Sequence, residues 1–134
     1  MADKYANVSA SYAWSVTISR IRPSARASAI VLNRGTVYLS GQVAEDPEAD
    51  IQAQTRSTLA RIDALLIEAG TDNEHLLSAT IYLRDIDNHF ALMNEVWNAW
   101  VPDGHAPARA CVEAHMARSG LLVEICIIAA LPDS

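Results

Sequence analysis

The stretch 121–131, Leu-Leu-Val-Glu-Ile-Cys-Ile-Ile-Ala-Ala-Leu, constrains this chain more than any other feature. A β-strand points successive side chains to opposite faces. Leu121, Val123, Ile125 and Ile127 fall on one face and Leu122, Glu124, Cys126 and Ile128 on the other, so both faces are apolar apart from one carboxylate. Such a strand belongs inside a sheet that is covered on both sides. Crossing a bilayer takes roughly 20 apolar residues, so the run reads as a core strand rather than a membrane segment. The remaining residues must provide its strand neighbours and a cover for each face.

Two helices are available as cover. Asp46-Pro47-Glu48 supplies a capping side chain, a proline at the first helical position and an acidic first turn, and Ile51, Thr55, Leu59, Ile62, Leu66 and Ala69 follow at helical spacing until Gly70. A second helix, capped by Asp85 or Asp87, carries Phe90, Met93, Trp97 and Trp100 on one face and is broken by Pro102-Asp103-Gly104. The strands are equally legible. Ala29-Ile30-Val31-Leu32 and Thr36-Val37-Tyr38-Leu39 flank Asn33-Arg34-Gly35 as a hairpin, 76–83 is a strand between the helices, and 109–116 and 121–130 follow, joined across Ser119-Gly120. The predicted order β-β-α-β-α-β-β is an α+β fold with two helices on one face of the sheet. With no further helix for the second face, the expected cover is another copy of the chain, a homo-oligomer with sheets facing one another.

The chain has 134 residues, 51% of them hydrophobic, which suits a single domain. A core of that size needs no metal or disulfide staple. Residues 1–20 lack a clear period and read as an arm of uncertain order ahead of one domain, 21–134. The balance of 16 Asp and Glu against 10 Lys and Arg opposes a nucleic-acid partner. The arginines at 20, 22, 26 and 34 read as a solvated face. No membrane partner and a cytoplasmic location are expected, because the N-terminal stretch has no apolar signal core. Cys111 and Cys126 lack a metal or redox spacing and read as reduced thiols.

Glu124 is the only charge in its eleven-residue run. A carboxylate there is either desolvated, which raises its pKa, or paired with a cation, which lowers it. Arg109 opens the preceding strand, and the Ser119-Gly120 hairpin is expected to bring the two together. At about 4 Å and an effective dielectric near 20 their attraction is about 4 kcal/mol before desolvation is subtracted. Two readings stand. The pair fixes strand register, or it forms a site in which the arginine fork grips a carboxylate ligand while the glutamate moves protons. Pro107 and the loop Asp103-Gly104-His105 are placed to shape an entrance, and Glu113 and His115, on the strand face of Arg109 and Cys111, read chiefly as solvent-facing. His75, His89, His105 and His115 have no metal-ligand spacing, and neither a nucleophile elbow nor a phosphate-binding loop is present.

Several segments, in this order and spacing, resemble the reactive intermediate deaminase (Rid, YjgF-like) family over residues 27–131. They are Leu39-Ser40-Gly41-Gln42, the stretch 54–70 (QTRSTLARIDALLIEAG), Ala79-Thr80-Ile81-Tyr82-Leu83, Asn94, Pro107-Ala108-Arg109-Ala110-Cys111-Val112 and Val123-Glu124-Ile125. The resemblance implies a chorismate-mutase-like α+β fold and a homotrimer with clefts where subunits meet. It also implies hydrolysis of reactive enamines and imines of the 2-aminoacrylate/2-iminopropanoate type to 2-oxo acids and ammonia, a damage-control activity that needs neither metal nor cofactor. By the same resemblance Arg109 holds the substrate carboxylate and Glu124 positions water and shuttles protons. The Cys111 backbone contacts substrate, and Asn94, Ser40 and Gly41 are further pocket positions. A non-catalytic module that captures a small carboxylate in the same cleft is the alternative. The chain departs from the best-known members where their Gly-Pro-Tyr loop carries a tyrosine, because counting back from Gln42 reaches Ala27.

Overall fold

The computed structural model describes residues 14–133. Its elements are β1 (Ser19–Pro23), β2 (Ser28–Asn33), β3 (Thr36–Leu39), β4 (Gln42–Val43), α1 (Ile51–Ala69), β5 (Leu76–Leu83), α2 (Ile86–Trp100), β6 (Ala108–Glu113) and β7 (Val123–Ala130). The strands form one sheet in the order β1-β2-β3-β7-β5-β6, with β4 pairing β7 beyond β3. All pairings are antiparallel except that of β5 with β6, which α2 connects.

The two-sided strand lies inside the sheet, as its pattern requires. β7 pairs β3 and β4 on one side and β5 on the other. Val123, Ile125, Ile127 and Ala129 are at most 1% exposed. They join Ile30, Leu32, Val37, Ile81 and Leu83 with the buried stripe of α1 in a single core. On the opposite face Glu124, Cys126, Ile128 and Ala130 are half-buried, and Tyr38 and Val112 are 42% and 45% exposed. Among the described residues of one chain no helix lies over that second face.

The α1 stripe of Ile51, Thr55, Leu59, Ile62, Leu66 and Ala69 is buried throughout. Gly70 ends the helix at φ 103°, where a side chain would be strained, and donates its N–H to Leu66 and Ile67 carbonyls. The start of the helix differs from expectation. Asp50, not Asp46, is the cap, its carboxylate accepting from Ala53 N–H at 2.8 Å. Asp46 closes a tight turn on Glu48 N–H instead. The reason is packing: Pro47 lies against Gly120, where a Cβ would meet the proline carbonyl and side chain, so this segment is a loop wedged on the approach to β7. In α2, capped by Asp85, Met93 and Trp97 are buried, but Phe90 is 42% exposed. That helix packs chiefly on α1 and only lightly on β5, which leaves Phe90 near its start uncovered.

Two strands were not in the expected order. β1 begins at Ser19, inside the segment read as an arm, and pairs with β2, while β4 adds a short pairing to β7. The sequence Ser-Arg-Ile-Arg-Pro hides β1 because charges and proline are what a sheet edge carries. Residues 1–13 of the proposed arm lie outside the described residues. Arg22 is not simply solvated: it forms a forked ion pair with Glu68 of α1. The expected hairpin of β6 with β7 is also corrected, since β5 lies between them.

Candidate functional site

That insertion separates the residues that the sequence placed together. In the sheet register Arg109 stands beside Ala79 and Glu124 beside Tyr82, three residues along β5, which is about 10 Å, with two strand spacings of about 4.8 Å across. Parity adds to this. Ala79 is buried on the helix-covered face, whereas Tyr82 alternates to the open face. Arg109 and Glu124 of one chain therefore point to opposite sides of the sheet and form no ion pair, which rules out the register-fixing pair within a chain.

Each forms the centre of its own cluster. Arg109 is exposed on edge strand β6, and its Nη1 donates to Asn94 Oδ1 of α2 at 2.7 Å. Its guanidinium lies 5.5 Å from the centre of the Trp97 ring, a cation–π distance. Asn94 and Trp97 are three residues apart on α2, so one helix face holds the arginine from two sides. Cys111, two residues on, lies on the same face beside Ile81. Burial pushes its thiol pKa up and the Arg109 charge partly offsets this. Sequence reasoning assigned Trp97 to the core alone. It does both, and its three-residue spacing from Asn94 was the available signal.

On the open face Glu124 lines a cleft of about 260 Å3 with Tyr82, Ala114, His115, Met116 and Cys126. Gly41 is pressed against it: a Cβ there would stand 3.1 Å from Glu124 Cδ, 3.2 Å from Cys126 Sγ and closer still to Glu124 Oε2. Burial, and then the neighbouring Glu124, push the Cys126 thiol pKa up. Ser40 sits beside Gly41, but its hydroxyl donates to Ser28 O at 2.5 Å and so ties β3 to β2. His115, expected on the Arg109 face, lies past the end of β6 in the Glu124 cleft. Glu113 takes neither place: its carboxylate accepts from Ile86 N–H at 3.1 Å and caps α2. Among the described residues no three His, Cys, Asp or Glu side chains are grouped as a metal ion would need.

The predicted residues thus fall into two separate clusters, Arg109 with Asn94 and Cys111 on one face, and Glu124 with Gly41 on the other, while Ser40 is bonded to β2. Residues 17–131 match the family model described as Endoribonuclease L-PSP. The chain belongs to this family, the YjgF/RutC proteins. The RutC family protein YoaB of Escherichia coli K12 is 46% identical over 116 residues, covering 87% of this chain and 100% of that protein. A RutC family protein of Haemophilus influenzae is 40% identical over 115 residues, covering 85% and 98% of the two chains. Among solved structures, the YjgF family member NMB1025 of Neisseria meningitidis superposes with a TM-score of 0.84 at 45% identity, covering 89% of this chain and 98% of that one. YyfA of Yersinia pestis, of the Rid protein family, superposes with a TM-score of 0.78 at 31% identity, covering 86% and 100%. The α+β fold with two helices on a mixed sheet is that of these YjgF/RutC relatives. Among the described residues no helix is long and apolar enough to cross a membrane.

Proposed function

We propose that this YjgF/RutC protein is a hydrolytic deaminase of reactive enamines and imines bearing a carboxylate, of the 2-aminoacrylate/2-iminopropanoate type, acting at a site assembled between copies of the chain as a homotrimer. One observation carries the reading. An exposed guanidinium held in a fixed plane and a carboxylate in a cleft lie on opposite faces of one sheet, so that the edge of one copy docked on the open face of the next unites them. The half-buried apolar side chains of that open face are the surface such docking covers.

Arg109 spends one nitrogen on Asn94 and makes no other hydrogen bond among the described residues, so the rest of its fork is available to a substrate carboxylate. A charge-assisted contact of this kind contributes about 1.5–3 kcal/mol, and holding the arginine against Trp97 lowers the entropic cost of orienting the imine. Glu124 takes a proton from the water that attacks the imine carbon, giving a carbinolamine. It returns that proton to nitrogen and then carries the carbinolamine hydroxyl proton to the same nitrogen, so that the C–N bond breaks and ammonia leaves with formation of the 2-oxo acid. An enamine first gains a proton at carbon through the same carboxylate. The ribonuclease activity in the family model's name finds less support, because a net charge of −6 opposes a phosphate backbone.

The test is ammonia and keto-acid release from iminopropanoate generated enzymatically in the assay. Wild type is expected to accelerate it, with Arg109→Ala and Glu124→Gln each losing at least about tenfold. Refolding the two inactive variants together restores part of the rate when each site draws one residue from each copy. Equal rates for wild type and both variants overturn the proposal. Saturable binding of 2-oxo acids without turnover marks instead a carboxylate-capturing module.

A further inference from the structure

Between α1 and α2 lies a groove of about 430 Å3 that shares no residue with either cluster. Its apolar lining includes Leu59, Val96 and Trp100, and its charged side chains are Arg56, Asp63 and Glu95. The size falls in the range of small-molecule pockets, which are mostly apolar with a few placed polar groups. The charges are arranged for a ligand with both signs. Both Asp63 oxygens accept from a single donor, Trp100 Nε1, at 3.0 Å. Glu95 accepts from Gln52 Nε2 at 2.8 Å. A carboxylate has room for about four hydrogen bonds, so both retain acceptor capacity. Arg56 is exposed and makes no hydrogen bond or ion pair among the described residues.

We propose that this groove binds a small zwitterion, an α-amino acid with an apolar side chain. Its ammonium lies between Asp63 and Glu95, its carboxylate on Arg56 and its side chain against Trp100, Leu59 and Val96. A purely apolar ligand leaves Asp63 worse solvated, whereas an ammonium offsets the burial that already raises that carboxyl's pKa. The groove is also next to the Arg109 cluster. The Trp100 ring lies 5.3 Å from Trp97, the ring that carries Arg109. Occupancy is therefore readable as a change in tryptophan emission.

The experiment titrates the full chain with leucine, with isoamylamine, which lacks the carboxylate, and with 4-methylpentanoate, which lacks the ammonium. The expected result is saturable quenching or enhancement by leucine at concentrations below about 10 mM, with both analogues at least about tenfold weaker. Arg56→Ala and Asp63→Asn should each weaken leucine binding about tenfold; the asparagine still accepts from Trp100, so a loss there reports charge rather than packing. Leucine binding must persist in Arg109→Ala, which separates this groove from the proposed deaminase site. No saturable response to leucine, equal affinity for either analogue, or loss of binding in Arg109→Ala overturns the proposal.

Discussion

Gly41 lacks a side chain where the Glu124 carboxylate fills the space that one would take. In Gly41→Ala the atom that must yield is the end of a flexible side chain, so the carboxylate swings away at little cost to the core. The expected outcome is a fall in deaminase rate of about 100-fold, as for a reacting group misplaced by about 1 Å, with a melting temperature lowered by only a few degrees, about 1 kcal/mol. A rate unchanged from wild type removes Glu124 from the mechanism. Asp63 offers a second test at this scale. Burial raises its carboxyl pKa, and the Trp100 N–H only partly opposes the shift. The folded chain keeps that proton to higher pH than the unfolded chain does. The associated stability is complete below the ordinary carboxylate pKa and fades as pH rises through the raised one. Asp63→Asn keeps an acceptor for Trp100 and removes the charge. The melting-temperature difference, variant minus wild type, is therefore expected to grow from acid towards neutral pH, and a flat difference contradicts the burial argument.

At the level of elements, α1 is the joint between the sheet and the loop before β7. Gln54 is fully buried on it; its amide donates to Ala49 O at 3.0 Å and Gly120 O at 2.9 Å, and its carbonyl accepts from Leu122 N–H at 2.9 Å. A buried amide in a helix stripe is costly unless fully bonded, and here it supplies partners for backbone groups that no ladder reaches. Gln54→Ala leaves those groups unpaired, and urea denaturation is expected to show a loss of about 2–3 kcal/mol. Asp50→Ala should cost about 1 kcal/mol through the lost cap, and Asp46→Ala distinctly less, which checks where α1 begins. The periodic spacing from Ile51 to Ala69 made the helix legible in sequence. Gln54 was not legible as a brace, because its partners at Gly120 and Leu122 are far away along the chain. The turn of the β2–β3 hairpin was half-read: Gly35 takes φ 78° as expected, and Arg34 beside it takes φ 52°, which no residue-type preference for arginine predicts.

For the whole molecule, the uncovered sheet face is the feature with consequences. Val112 stands on it at the exposed edge strand β6, beside Tyr82. Val112→Glu puts a charge where copies are proposed to dock, and a single chain tolerates it because the side chain is already in solvent. Light scattering is expected to show the wild type as a trimer and the variant as a monomer, with deaminase activity lost while the circular dichroism is retained. A trimeric, active variant places the docking surface elsewhere.

Local patterning alone determined both helices, the strands at 76–83 and 121–130 and the core stripe, and it singled out Glu124, because those follow from alternation, helical spacing and a charge isolated in an apolar run, whereas Asn94, Cys111, Ser40 and Gly41 came from the family resemblance. Strand neighbours are a different matter. Which strands pair depends on the free energy of the whole sheet, and nothing local to Arg109 or Glu124 records that β5 inserts between β6 and β7. Only the tertiary structure decided that the two residues stand on opposite faces, with Trp97 and Asn94 beneath one and Gly41 against the other. The physical reason is parity: one strand placed between two others sets both the distance and the side of the sheet on which each side chain emerges.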